Sequence, residues 1–243
     1  MIWKDQRILI TGGLGFIGSS LARSLVEAGA EVTLLDAQLP EYGSNPANIE
    51  SIREDITVVK GDVRDAETVS DLVRTSDVVY HLAAQLSRTV SNDRPDLDAE
   101  INCIGLLNVL SAAEGTPSPP RVVFTSSQAV VGEPPSLPFD ETTRAAPVDI
   151  YGANKRAGEL YCDVYAEAHD VPTVAVRLTN VYGPRAQLSN PNYGVIHNFI
   201  ASALRDETLT VFEPGTMQRD FVYVDDVVAG LSRVGHDEHA IGE

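Results

Sequence analysis

The chain has 243 residues, 43% of them hydrophobic and 22% charged, enough for one large α/β domain or a domain with a smaller lobe. Acidic residues outnumber basic ones 35 to 18, and the formal charge of -17 repels nucleic acid and anionic membrane, so neither is an expected partner. No apolar run is long enough to span a bilayer, no secretory h-region opens the chain, and Cys103 and Cys162 form no CxxC pair, so both read as reduced thiols of a cytoplasmic protein.

Short β-branched runs alternate with longer helical periods, the pattern of a parallel sheet covered on both faces. Residues 7–11 (RILIT) read as the first strand. A helix follows over 16–28, with Ile17, Leu21 and Leu25 on one face and Gly29 as its stop. Strands are expected at 31–35, 56–60 and 78–82, with a short helix at 66–74. A long helix over 97–114 would set Leu97, Ile101, Ile104, Leu107 and Leu110 on one face.

Residues 121–126 read as the fifth strand. The proline-rich stretch 132–147 is a loop flanking the site, followed by a helix over 149–168 and a strand over 173–178. After Asn180 the alternation loosens. Gly183-Pro184, Asn190-Pro191-Asn192 and Gly194 mark loops. Beyond them lie a helix over 195–205, short strands at 208–212 and 221–224, and a helix capped by Asp225 that runs to about residue 233. The fold class expected is a doubly wound parallel (Rossmann) sheet over 1–179, with a partial substrate lobe and a segment returning to the core over 180–243.

Gly12, Gly15 and Gly18 stand between the first strand and first helix. That context gives a glycine triplet its meaning: a tight turn at Gly12, close backbone approach at Gly15, close helix–strand packing at Gly18. The amides of Phe16 and Ile17 open the helix, whose positive end suits a pyrophosphate. Asp36 ends the second strand, where an acid takes the ribose hydroxyls and repels a 2′-phosphate, so the cofactor expected is NAD.

Tyr151 and Lys155 are four residues apart, on one face of a helix. A phenol is a poor base at neutral pH, and bringing it there takes a drop of roughly 3 units, about 4 kcal/mol. The ammonium of Lys155 and the positive ring of NAD⁺ are expected to supply it. Ser127, just past the fifth strand, would hydrogen-bond the same substrate oxygen.

With TGGLGFIGS (11–19), GDV (61–63), HLAAQ (81–85), FTSSQAVVG (124–132), YGANK (151–155), RLTNVYGPR (177–185) and RDFVYVDD (219–226) in order, the chain resembles the extended short-chain dehydrogenase/reductases of the NAD-dependent epimerase/dehydratase branch. The resemblance implies that Asp62 and Val63 contact adenine and that Leu82, Ala83, Ala84 and Gln85 run along the cofactor. It implies that Asn102 supports the site, that Asn180 and Arg219 bind the diphosphate of a nucleotide-sugar, and that helices 97–114 and 149–168 make a homodimer. Dehydratases and decarboxylases of this branch resemble one another in placing an acid after the catalytic Ser or Thr. Here Gln128, Ala129 and Val130 follow Ser127, which points to epimerisation of a UDP-sugar, UDP-glucose or UDP-galactose first, by transient oxidation at C4. Val131 stands where the family often has Tyr. The chain ends where relatives usually continue, so the residues that select the sugar are expected to lie partly beyond it. His236 and His239 read as a solvated segment rather than a metal site.

Overall fold

The aliphatic and β-branched runs pair into one parallel sheet: β1 (Arg7–Thr11), β2 (Glu31–Asp36), β3 (Ile56–Lys60), β4 (Val78–His81), β5 (Arg121–Ser127) and β6 (Thr173–Leu178). The spatial order is β3-β2-β1-β4-β5-β6, so the direction of winding reverses between β1 and β4. These two strands run in register from Ile8 opposite Val78 to Thr11 opposite His81, and a crevice opens beyond their carboxyl ends. The computed structural model describes residues 2–188, 194–211, 215–216 and 218–242.

Both faces of the sheet are covered, which explains strands that are apolar throughout rather than alternating. Along β1, Ile8 and Ile10 face one core, with Leu21 and Leu25 of α1 (Phe16–Glu27). Leu9 faces the other, with Val69 and Val73 of α2 (Ala66–Val73).

The predicted helix over 97–114 is interrupted. Two short helices, α3 (Arg88–Asp93) and α4 (Pro95–Ala99), lead into a π-helical turn at Glu100–Ile104, and α5 (Gly105–Glu114) continues from it. The wide turn shifts the helical phase. Ile104, expected on the apolar face, is exposed, whereas Asp98 and Asn102 are buried. Leu110 is in the core as expected and Ile101 packs against it, joined there by Leu106 and Val109. Gly105 is forced by packing, because a Cβ there would lie 2.7 Å from Val63 Cγ2.

The long helix α6 (Ile150–Ala168) begins one residue later than predicted, and Asp149 caps it by accepting from the Gly152 amide at 2.7 Å. Past β6, a two-stranded parallel sheet joins β7 (Asn180–Tyr182) to β8 (Phe221–Tyr223), with α7 (Val195–Leu204) in between. Residues 208–211 form no strand, Phe212 lies outside the described residues, and so do Asn190, Pro191 and Asn192. The last helix, α8 (Val224–Val234), has Tyr223 at its N-cap, so Asp225 sits in the first turn rather than capping it. Val224, Val227, Val228 and Leu231 return this helix to the core beside α1.

The segment after α8 is docked at His236, whereas Glu238 and His239 are exposed. His236 lies edge-on to Trp3 at 5.5 Å, and the buried Arg121 donates from Nη1 to the carbonyls of Val234 and Asp237. No helix among the described residues is long and apolar enough to cross a membrane.

Candidate active site

The crevice beyond β1 and β4 is a cleft with a cavity volume of about 380 Å³, and its lining follows the predicted motifs. Gly12, Gly15, Phe16, Ile17, Gly18, Asp36, Asp62, Val63, Leu82, Ala83, Ala84, Ser127, Tyr151, Lys155 and Asn180 all line it. Gly12 turns with φ 69°, a backbone region suited to glycine, and a Cβ there would sit 2.9 Å from the Ala83 amide nitrogen. A Cβ on Gly18 would lie 2.4 Å from the Gly12 carbonyl oxygen.

The N-terminus of α1 is left open toward the cleft. Gly15 at its N-cap offers no side chain, and no acid occupies the first turn. The amides that a side chain would otherwise satisfy are thus available to an anion. Asp36 holds the turn from the far side: its carboxylate accepts from the amides of Leu14 at 3.0 Å and Gln38 at 2.8 Å. Uncapped amides at one point and a carboxylate at the end of β2 match a dinucleotide's pyrophosphate and ribose diol, so these residues fit NAD.

Gln85 and Asn102 do not line the cleft. Asn102 bonds both ends of the Gln85 peptide unit, accepting from its amide at 3.1 Å and donating to its carbonyl at 3.0 Å. They brace the wall from behind. Arg219 also stands away from the lining; it is exposed, and Nη1 donates to the Gln218 carbonyl at 2.8 Å. Asn180 lines the cleft while its side-chain amide donates to the Asp220 carbonyl at 2.9 Å, tying β7 to the segment before β8. Val131 is buried and forms no part of the lining.

At the inner end, Ser127, Tyr151 and Lys155 converge. Lys155 is 2% exposed and donates from Nζ to the Thr125 carbonyl at 2.9 Å. The ammonium lies 4.8 Å from the Phe124 ring centroid and 5.9 Å from that of Tyr151. Burial pulls its pKa down to about 8, against the attraction of Asp98.

Burial pushes the Tyr151 phenol up to about 12; its hydrogen bond to Ser127 opposes this, and the charges of Asp98 and Asp149 add to it. The expected depression of this phenol by Lys155 is therefore not what dominates in the protein alone. Bringing it near neutrality therefore takes more than the drop counted from an exposed phenol.

Other wall residues were assigned no role from the sequence. Thr125, within the 124–132 motif, offers its carbonyl to Lys155 while its hydroxyl donates to the His81 carbonyl, and Leu39 and Tyr42 come from a single 3₁₀ turn after β2. His81, at the end of β4, is buried and held down to about 3 by desolvation and by Lys155; its Nδ1 lies 3.0 Å from Thr11 Oγ1. Both cysteines are buried and unpaired. Among the described residues, no group of three or more His, Cys, Asp or Glu is arranged to hold a metal ion.

Comparison with known proteins places this geometry in a family. Residues 8–241 match the family described as NAD dependent epimerase/dehydratase. The chain is 36% identical over 232 residues to a UDP-glucose 4-epimerase of Mycolicibacterium smegmatis, covering 95% of this chain and 73% of the relative. It is 35% identical over 243 residues to a UDP-N-acetyl-alpha-D-glucosaminuronate decarboxylase of Bacillus cytotoxicus, with shares of 98% and 73%. The solved UDP-glucose 4-epimerase of Thermus thermophilus, a complex with NAD, superposes with a TM-score of 0.84 at 34% identity, over 95% of this chain and 75% of that one. The open turn of α1, Asp36 and the buried Ser/Tyr/Lys cluster thus stand in a protein whose relatives act on nucleotide-sugars, and the chain belongs to the NAD-dependent epimerase/dehydratase family of enzymes.

Proposed function

We propose that this enzyme epimerises a UDP-sugar at C4, with UDP-glucose and UDP-galactose as the first candidates. One observation carries the choice over dehydration or decarboxylation. Among the described lining residues the only carboxylates are Asp36 and Asp62, which border the glycine turn and the end of β3. Gln128–Val130, directly after Ser127, form a 3₁₀ turn without a side chain able to exchange a proton. The nearest buried carboxylates, Asp98 and Glu159, are behind the wall and engaged. Glu159 binds Ser126, Arg156 and Arg177.

When bound, NAD⁺ supplies the hydride acceptor and a further positive charge. The rest is done by the chain. Tyr151 accepts the proton of the C4 hydroxyl and later returns it, Ser127 donates a hydrogen bond to the oxygen as it becomes a carbonyl, and Lys155 keeps a cation beside the phenol. Burial keeps Tyr151 protonated until these charges are assembled, which confines base strength to the loaded site. Asn180 and Arg219 are proposed contacts of the substrate diphosphate. A panel of UDP-sugars with NAD⁺ tests the reading: a C4 epimer with no net NADH is expected, and a keto-deoxy or decarboxylated sugar as the only product overturns it.

The chain is further proposed to pair as a homodimer through α5 and α6. Ile104, Leu160 and Val164 are exposed on these two helices and the adjoining turn, an apolar surface suited to a second copy. Light scattering is expected to give twice the chain mass.

A further inference from the structure

Asp98 is fully buried, yet no ion pair among the described residues includes it. Three neutral side-chain amides hold its carboxylate. Oδ1 accepts from Asn102 at 3.0 Å and from Asn154 at 2.6 Å, and Oδ2 accepts from Gln85 at 2.8 Å. The donors come from the segment after β4, from the π-helical turn and from α6. Amides satisfy the oxygens but leave the charge uncancelled, and a lone buried charge is costly unless an opposite one lies near.

The opposite charge is Lys155, one residue along from Asn154. It is as deeply buried as Asp98 and bonded to neutral groups: the Thr125 carbonyl, with two aromatic faces alongside. The two buried ions are thus complementary, and Asn154, which bonds Asp98, precedes Lys155 on α6; the attraction of Asp98 is the largest that favours the charged lysine.

We propose that Asp98 is a positioning residue that supplies the fixed negative charge of the site, keeping Lys155 protonated in the core and setting its place on α6 through Asn154. Direct contact between the two ions would draw the ammonium away from the Thr125 carbonyl and from Tyr151. The other titratable groups acting on Lys155 or influenced by it are Cys103 on the π-helical turn, Cys162 and Tyr151 on α6, and His81 on β4. Arg88 and Asp149 act on Tyr151 from the rim. Asp98 is the one buried carboxylate among them, and its attraction opposes the burial that otherwise lowers the Lys155 pKa.

The inference rests on Lys155 as a site residue, but its test needs no turnover, so a failed sugar assay leaves it standing and the reverse also holds. The chain has only three lysines, Lys4, Lys60 and Lys155, so ¹³Cε-lysine labelling of the full chain gives three signals, assigned by Lys4→Arg and Lys60→Arg. In the unaltered protein Lys155 is expected to titrate near 8. In Asp98→Asn its midpoint should fall by about one unit or more, with Lys4 and Lys60 unmoved, and Asp98→Glu should restore most of the shift. A Lys155 midpoint unchanged in folded Asp98→Asn overturns the proposal. If Asp98→Asn does not fold, the unaltered protein decides: a Lys155 already neutral at about pH 7 overturns it, and a charged one supports it.

Discussion

Replacing Gly18 by alanine separates the two duties of the glycine turn. The added Cβ would stand 2.4 Å from the Gly12 carbonyl oxygen and 2.9 Å from Gly13 Cα, where ordinary contact begins at 3.4 Å. Both neighbours are backbone, so no rotamer relieves the overlap and the turn must open by about 1 Å. Overpacking of this kind costs about 2 kcal/mol, a fall of roughly 4–8 °C in Tm for a chain of this size. The same movement pulls the α1 amides from the place a pyrophosphate occupies. Losing one hydrogen bond to a charged group costs about 1.5–3 kcal/mol, or 10- to 150-fold in Kd. Titration by NADH fluorescence and a thermal melt read both quantities on one sample. Gly230→Ala is the control, because a Cβ there meets nothing within 4 Å inside α8 and should stabilise by about 0.5–1 kcal/mol without touching Kd. NADH affinity within twofold of the parent in Gly18→Ala would refute the assignment of this turn to the pyrophosphate.

Tyr151→Phe should abolish turnover while NADH binding stays within a few-fold, since the ring and its packing survive; persistent epimerisation removes Tyr151 from the base role. His81→Gln should flatten the loss of stability in acid. His81 is neutral when folded, held down to about 3, and the unfolded chain takes up its proton below about 6.5, so stability present above that pH is lost as pH falls, by at most about 5 kcal/mol. Parallel melts of variant and parent across that window measure it, and coincident curves exclude His81 as the cause. With a formal charge of -17, Tm should rise with KCl as self-repulsion is screened, and a flat or falling curve would show that surface charge does not limit stability.

How much could be read from the sequence depended on the range of the constraint. Gly12, Gly15 and Gly18 were legible because each answers to a local backbone demand, and Tyr151 with Lys155 because four residues on a helix share a face. Asp98 was not. Inside the expected 97–114 helix it occupies a position that period 3.6 assigns to the solvent side, and only the π-helical turn at Glu100–Ile104 rotates it inward while turning Ile104 out. The same turn carries Asn102, which braces the Gln85 backbone from behind the wall. Thr125 escaped for another reason: it acts through a carbonyl, which every residue has.

The acidic composition and an anionic cofactor pose one problem, and the cleft answers it at the pyrophosphate without basic side chains. Among its described lining residues Lys155 alone is a lysine or arginine, and it stands at the reacting end. Recognition of the cofactor's pyrophosphate is left to the uncapped start of α1, whose partial charge needs no arginine or lysine. The Lys155 charge, by contrast, sits deep in the core and has to be maintained there. A buried carboxylate held only by amides does that without competing for the Thr125 carbonyl, which ties the net charge of the surface and the lone charge of Asp98 to separate parts of the same electrostatic design.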